Sequence, residues 1–169
     1  MEQIRLKSGR QVAIRPIRPE DGARLQAAYD HLSPESRYRR FLSVKPHLSA
    51  SDVRYLVNID GRSHVALLAT PPDDPNFILG VGRYVRLPED PCAAEFAVVV
   101  GDPFQGEGLG TELLERLADA AIAHGFTRFQ ATMLADNAPA HRLVHRLAKR
   151  QGRLRKVGHL DEYEIDLAA

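Results

Sequence analysis

At 169 residues, 44% hydrophobic and 27% charged, the chain has the length and composition of one globular domain spanning residues 1–169. Its formal charge is only +1, from 23 basic and 22 acidic residues, which argues against nucleic acid as a primary partner. One cysteine, Cys92, excludes an intrachain disulfide; no run of about 18 apolar residues is present to span a membrane, and the opening MEQIRLKSGR lacks a signal-like apolar stretch, so the sequence predicts a cytoplasmic protein.

Residues 10–18 (RQVAIRPIR) alternate Val12, Ile14 and Ile17 with polar side chains at strand period, and a turn at residues 7–10 lets residues 4–7 pair back as a short hairpin. Pro19-Glu20-Asp21 opens a first helix with Leu25, Ala28, Tyr29 and Leu32 at helical spacing. Ser33-Pro34-Glu35 starts a second through Phe41, and Ser49-Ala50-Ser51-Asp52 a third through Val57. Apolar runs at residues 64–70, 77–87 and 93–100 read as strands separated by proline-rich turns, with Cys92 beside Pro91 in the last turn. An amphipathic helix over residues 111–124 ends at Gly125. A strand at 128–134, a helix from Asn137 to about Lys149, and an antiparallel pair at 154–158 and 163–167 complete the chain. This order predicts an α/β (α+β) layer: a central, mostly antiparallel mixed sheet of six to seven strands with helices on both faces.

The segment VVVGDPFQGEGLGT, residues 98–111, carries the chemistry. A strand runs into a glycine-rich turn, and a helix follows at once. Gly106, Gly108 and Gly110 let the main chain approach a ligand, and the first helical turn leaves N–H groups and a positive dipole end free for phosphate. The spacing is not G-x-G-x-x-G, since Leu113 fills the place of the third glycine, and no Lys-Ser/Thr pair makes it a P-loop.

Gln105-x-x-Gly108-x-Gly110 resembles the Q/R-x-x-G-x-G/A motif of GNAT acyltransferases, and the resemblance extends along nearly the whole chain. Residues 15–21 (RPIRPED) are similar to the opening of such domains. Residues 32–41 (LSPESRYRRF) and 94–100 (AEFAVVV) resemble the catalytic domain of bacterial Pat-type protein lysine acetyltransferases. The resemblance implies the GNAT fold and acetyl-CoA as co-substrate, with its pyrophosphate held by Gln105, Gly106, Glu107, Gly108, Leu109, Gly110 and Thr111. It implies that the main chain of Val98, Val99 and Val100 meets the acyl carbonyl and pantetheine arm, and that Asn137 contacts the same arm. A plain N-cap is the other reading of Asn137.

Glu95 is the candidate general base: a carboxylate within an apolar run is costly without a task, and it matches the catalytic glutamate of the resembled enzymes. The tyrosine that many GNAT enzymes carry seven residues after the asparagine is replaced by Val144. Arg37, Arg39 and Arg40 read first as a solvated face, and second as contacts for a phosphate or an acidic partner surface. His141 and His145 read as surface residues and not as a metal site. The acceptor implied by the resemblance is a protein lysine, with an acyl-CoA synthetase as a client. A small amine is the alternative, and a non-catalytic acyl-CoA-binding protein the second alternative.

Overall fold

The computed structural model describes residues 1–42, 45–149, 152–157 and 160–167, with side chains outside 152–157. β1 (Glu2–Arg5) and β2 (Gln11–Pro16) form the predicted hairpin, turned at Gly9 with φ 89°. β3 (His64–Thr70), β4 (Gly80–Leu87) and β5 (Asp90–Val100) extend it antiparallel. β6 (Arg128–Leu134) joins β5 in parallel, and β7 (Gly152–Val157) and β8 (Leu160–Asp166) close the sheet. The order is β1-β2-β3-β4-β5-β6-β8-β7, eight strands among the described residues. The fold class is the one expected, a largely antiparallel mixed sheet, with a strand more than the six to seven anticipated.

Helices cover both faces. On one lie α1 (Gly22–Asp30), α2 (Pro34–Phe41) and α3 (Ala50–Val57), whose Leu25, Tyr29, Leu56 and Val57 pack on Ala66, Leu68 and Val81. On the other, α4 (Leu109–Ala123) seals Leu114, Leu117 and Ala121 against Tyr84, Phe96 and Phe129, beside α5 (Ala138–Leu147) and its Val144. Each fully buried leucine there contributes about 1.5–3 kcal/mol. Local signals place the helix starts. Ser33 accepts from the Ser36 N–H at 3.1 Å, Ser49 caps α3 reciprocally with Asp52, and Asn137 accepts from the Ala140 N–H at 3.3 Å. The RPIRPED segment is held by Arg15, which grips the fully buried Asp21 carboxylate through two hydrogen bonds of 2.8 and 2.7 Å.

Some boundaries differ. β4 begins at Gly80 and not at Phe77, because the Phe77 N–H turns back to the Asp74 carbonyl at 3.2 Å. β5 reaches back to Asp90, so Cys92 sits on a strand and not in a turn. α4 starts at Leu109, inside the glycine motif. Gly158, expected in the final strand pair, lies outside the described residues. No helix among the described residues is long and apolar enough to cross a membrane.

Candidate active site

The site begins where the sheet comes apart. β5 and β6 pair only through Ala93↔Arg128, Ala94↔Phe129 and Glu95↔Gln130. Beyond these, β5 stays paired to β4 as far as Val100↔Gly80, and β6 to β8 as far as Leu134↔Leu160. The sheet is therefore split, and residues 96–100 have no strand on their β6 side. Strand geometry fixes what faces the split. The Gly101 N–H bonds the Leu79 carbonyl at 2.8 Å, so odd-numbered residues of β5 direct their main-chain groups to β4 and even-numbered ones away from it. The Val98 and Val100 main chains thus face the opening. Val99 pairs with Val81, and only its side chain is left to contribute.

The turn after β5 leads into a helix with no cap. Gly106 and Gly108 have φ of 81° and 92°, left-handed values that glycine adopts without strain. Gly108 is the N-cap of α4, and no side chain bonds the first helical N–H groups. α2, α3 and α5 each have a capping side chain, so α4 presents its free donors and positive dipole end outward. A groove of about 500 Å³ opens there, bounded by Val98–Val100, Gln105, Gly106, Gly108 to Thr111 and Asn137. Arg39, Arg40, Arg142 and Arg146 bring four cations to its walls.

Most of the turn's side chains build the turn itself. Gln105 Nε2 donates to the Val100 carbonyl at 3.0 Å and to Asp102 at 3.2 Å. Glu107 does not line the groove; its carboxylate pairs with Arg10 at 2.8 Å, so its main chain alone borders the turn. Leu109 is buried in the core and offers only its N–H. Asn137 lines the groove while capping α5. Asp102 accepts from the Ser33 N–H at 2.7 Å and the Ser36 hydroxyl at 2.5 Å, locking α2 to the turn and setting Arg39 and Arg40 beside it. Burial opposes ionisation of Asp102, but these hydrogen bonds win and lower its pKa.

A second groove, about 480 Å³, lies on the α2–α3 side and contains Glu95. Arg40 lines both grooves and marks where they meet. Asp52, Tyr55, Arg83 and Arg86 also line the second. Glu95 is open to solvent along the groove and not sunk in apolar surroundings as its sequence context suggested. The groove walls still raise its pKa by desolvation; the Arg40 charge opposes this, and Glu162 and Glu89 add to it. Arg37 is neither a solvated residue nor a ligand contact. It ties α1 to the following loop through the carbonyls of Tyr29, Asp30 and Pro46. His141 is half-buried, with Nδ1 2.6 Å from the Tyr163 hydroxyl, so it is a packing partner and not a surface residue. Val144 is 1% exposed and belongs to the core, and no tyrosine lines the first groove.

The sequence reading did not single out Arg83, Arg142 or Arg146. The two on α5 had a signal, being four residues apart just after Asn137. Arg83 had none, since it looks like one more polar position in an alternating strand.

The Acetyltransferase (GNAT) family matches residues 25–148, and the chain belongs to that family. It is 31% identical over 144 residues to the acetyltransferase Pat of Mycolicibacterium smegmatis, 85% of this chain but only 43% of that protein's length. To an acetyltransferase of Pseudomonas aeruginosa it is 34% identical over 133 residues, covering 78% of this chain and 71% of that one. The crystal structure of the GNAT domain of S. lividans PAT superposes with a TM-score of 0.86 at 30% identity, over 98% of this chain and 96% of that one. The chain thus carries an acetyltransferase domain of the GNAT family, whose co-substrate is acetyl-CoA. The first groove fits that co-substrate: an uncapped helix start and four arginines suit its phosphates, and the apolar edge of β5 suits its arm.

Proposed function

We propose that this chain acetylates lysine ε-amines of proteins, and that Glu95 is its general base. Acetyl-CoA supplies an activated acyl carbon and a thiolate that leaves. The residues of the chain do the rest. Glu95, with its raised pKa, takes the proton that the incoming ammonium must lose, directly or through a water. The Val98 N–H, free on the open side of β5, donates to the negative charge that develops on the acyl oxygen. Gly106 to Thr111 hold the pyrophosphate, and Asn137 and Val100 border the arm. With Val144 where a tyrosine often stands, the thiolate departs as an anion, favoured by the four arginines around the first groove.

The observation that carries the protein acceptor is the shape and charge of the second groove. It leaves Glu95 reachable from outside, and its rim carries Arg86, Pro88 and Tyr55, the last 59% exposed. Of its lining residues Glu95 and Asp52 are the carboxylates, with Glu89 and Glu162 acting on Glu95 from outside the lining, and Asp52 is held by Lys45 at 3.0 Å and by the Ser49 N–H at 2.8 Å. A site for a polyamine would enclose its cation among several free carboxylates. The likeness to Pat-type domains supports the same reading; an acyl-CoA synthetase in the cytoplasm is the client proposed with it.

Incubation with acetyl-CoA and a cell lysate, followed by mass spectrometry, tests this. Acetylation of a few defined lysines, absent with Glu95→Gln, is expected. Rapid turnover of a free amine with no protein labelling above background would overturn it.

A further inference from the structure

Among the described residues, Arg83 in the acceptor groove has no anionic partner, and its neighbour Arg40 has only the more distant charge of Glu95. Arg83 is only 5% exposed. Its Nη1 bonds the Leu56 carbonyl and the His64 Nε2, both at 3.0 Å, and His64 is a neutral acceptor because burial pushes its pKa down to about 4. Arg40 lies against the Phe41 ring, 4.6 Å from its centre; among the described residues it forms no close ion pair, and the Glu95 charge acts on it from farther away. All 22 aspartates and glutamates lie among the described residues, so no acidic side chain outside them serves as a counter-charge. The other buried arginine among the described residues is treated differently: Arg15 is neutralised by Asp21 at 2.7 Å. Burial, together with the nearby Arg40 charge, pushes Arg83 down to about 9. A buried cation beside another cation is a costly arrangement that an anion would relieve.

The cofactor phosphates do not supply this anion at Arg83, which lines the acceptor groove and not the first groove. The uncapped end of α4, with Arg39, Arg142 and Arg146, already serves those phosphates. Arg83 instead lines the same groove as Glu95. It is in register with Ala97, two residues along β5 from Glu95, so the two side chains leave the same sheet face roughly 7 Å apart along the strand. Its N–H groups that lack protein partners are not sealed from solvent.

Building on the lysine-acceptor reading, we infer that the acceptor amine is accompanied by a carboxylate, an aspartate or glutamate within two residues of the lysine, which docks on Arg83 and Arg40. An extended peptide matches this spacing, since residues two apart share a face at roughly 7 Å. The carboxylate neutralises both guanidiniums while the lysine meets Glu95. A free amino acid offers the same chemistry through its own carboxylate.

Peptide pairs separate these cases. One peptide carries glutamate two residues on either side of a single lysine, and its partner carries glutamine. Thiol release is measured with each, together with binding of the corresponding ε-acetyl-lysine peptides. The wild type is expected to favour the glutamate peptide by about tenfold in kcat/KM. That preference should collapse in Arg83→Gln and Arg40→Gln and be partly kept in Arg83→Lys, with coenzyme A affinity of the Arg83 variants unchanged. Should Arg83→Gln fail to fold, Arg40→Gln and Arg83→Lys carry the comparison. Equal turnover of the two peptides would remove the carboxylate site and leave the lysine reading standing. If neither peptide is turned over or bound, amino acids are compared with their decarboxylated amines. Preference for the amino acid then keeps the carboxylate site and removes the lysine reading; no preference overturns the site.

Discussion

The two grooves that meet at Arg40 are made of different material. The cofactor groove has a floor of main chain, with four arginines from α2 and α5 at its walls. The floor is the free edge of β5, a turn whose glycines hold left-handed angles, and a helix end with no cap. These come from one stretch of sequence, residues 96–111. The acceptor groove is built from side chains carried in by separate elements: Arg40 from α2, Tyr55 from α3, Arg83 from β4 and Glu95 from β5. A groove of backbone donors recognises a phosphate with little dependence on which side chains surround it. A groove of long side chains can be recharged by single substitutions, with the sheet unchanged beneath it. The common chemistry thus resides in local backbone geometry, and the choice of acceptor in contacts between distant residues.

Substitutions can break that division. Gly108→Val should have the largest effect, because position 108 holds φ 92° and caps α4. Coenzyme A binding by calorimetry should vanish, while circular dichroism still reports a folded sheet. Gly110→Ala sharpens the point. A Cβ there meets only Leu143 and Val98, at 3.7 and 3.8 Å, ordinary contacts with two groove-lining residues. The protein should be no less stable, since alanine is favoured over glycine within a helix by about 0.5–1 kcal/mol. Coenzyme A affinity should still fall, because the added methyl stands among residues that line the groove. Unchanged affinity in both variants would mean that the turn does not hold the cofactor.

Asp102→Ala acts at the tie between the grooves and should have a smaller effect. Removing the carboxylate leaves the Ser33 N–H and Ser36 hydroxyl without their acceptor, a loss of about 1–3 kcal/mol in denaturant unfolding. The sign with pH follows from the lowered pKa of Asp102. Its contribution is complete above the ordinary value of 3.8 and is lost as pH falls through the lower folded value, so the gap between wild type and variant should close in acid. A gap independent of pH would show that the ionised carboxylate does not hold α2 in place.

How far the sequence could be read follows the same division. The turn at 105–111, the helix starts at Ser33, Ser49 and Asn137, and the hairpin through Gly9 are short-range features, and residue type within a few positions gives them away. The start of β4 was misjudged because Phe77 is apolar, and only the turn bond from its N–H to Asp74 removes it from the strand. Arg37 looked solvated because its three carbonyl partners lie up to nine residues away. Arg83 could not be placed in the groove from sequence: nothing in GVGRYVRL distinguishes an arginine on the Glu95 face from one facing water until β4 and β5 are in register. Glu95 could be singled out as a candidate from its apolar run, but its exposure along the groove is visible only once the strands are assembled.

The central claim is that Glu95 is the base where the two grooves meet, and a pair of measurements on Glu95→Gln tests it most directly. Calorimetry should give wild-type affinity for coenzyme A, since Glu95 is not among the residues lining the cofactor groove. Thiol release with a lysine acceptor at pH 7 should fall by about 10²-fold or more, the contribution of a general base. In the wild type the rate should drop as pH falls through the raised pKa of Glu95, above the ordinary 4.5, where the base becomes protonated. In the variant that acidic limb should be absent, and its deficit should shrink at high pH as free amine accumulates. Equal turnover of wild type and variant at pH 7, with the same acidic limb in both, would contradict the account.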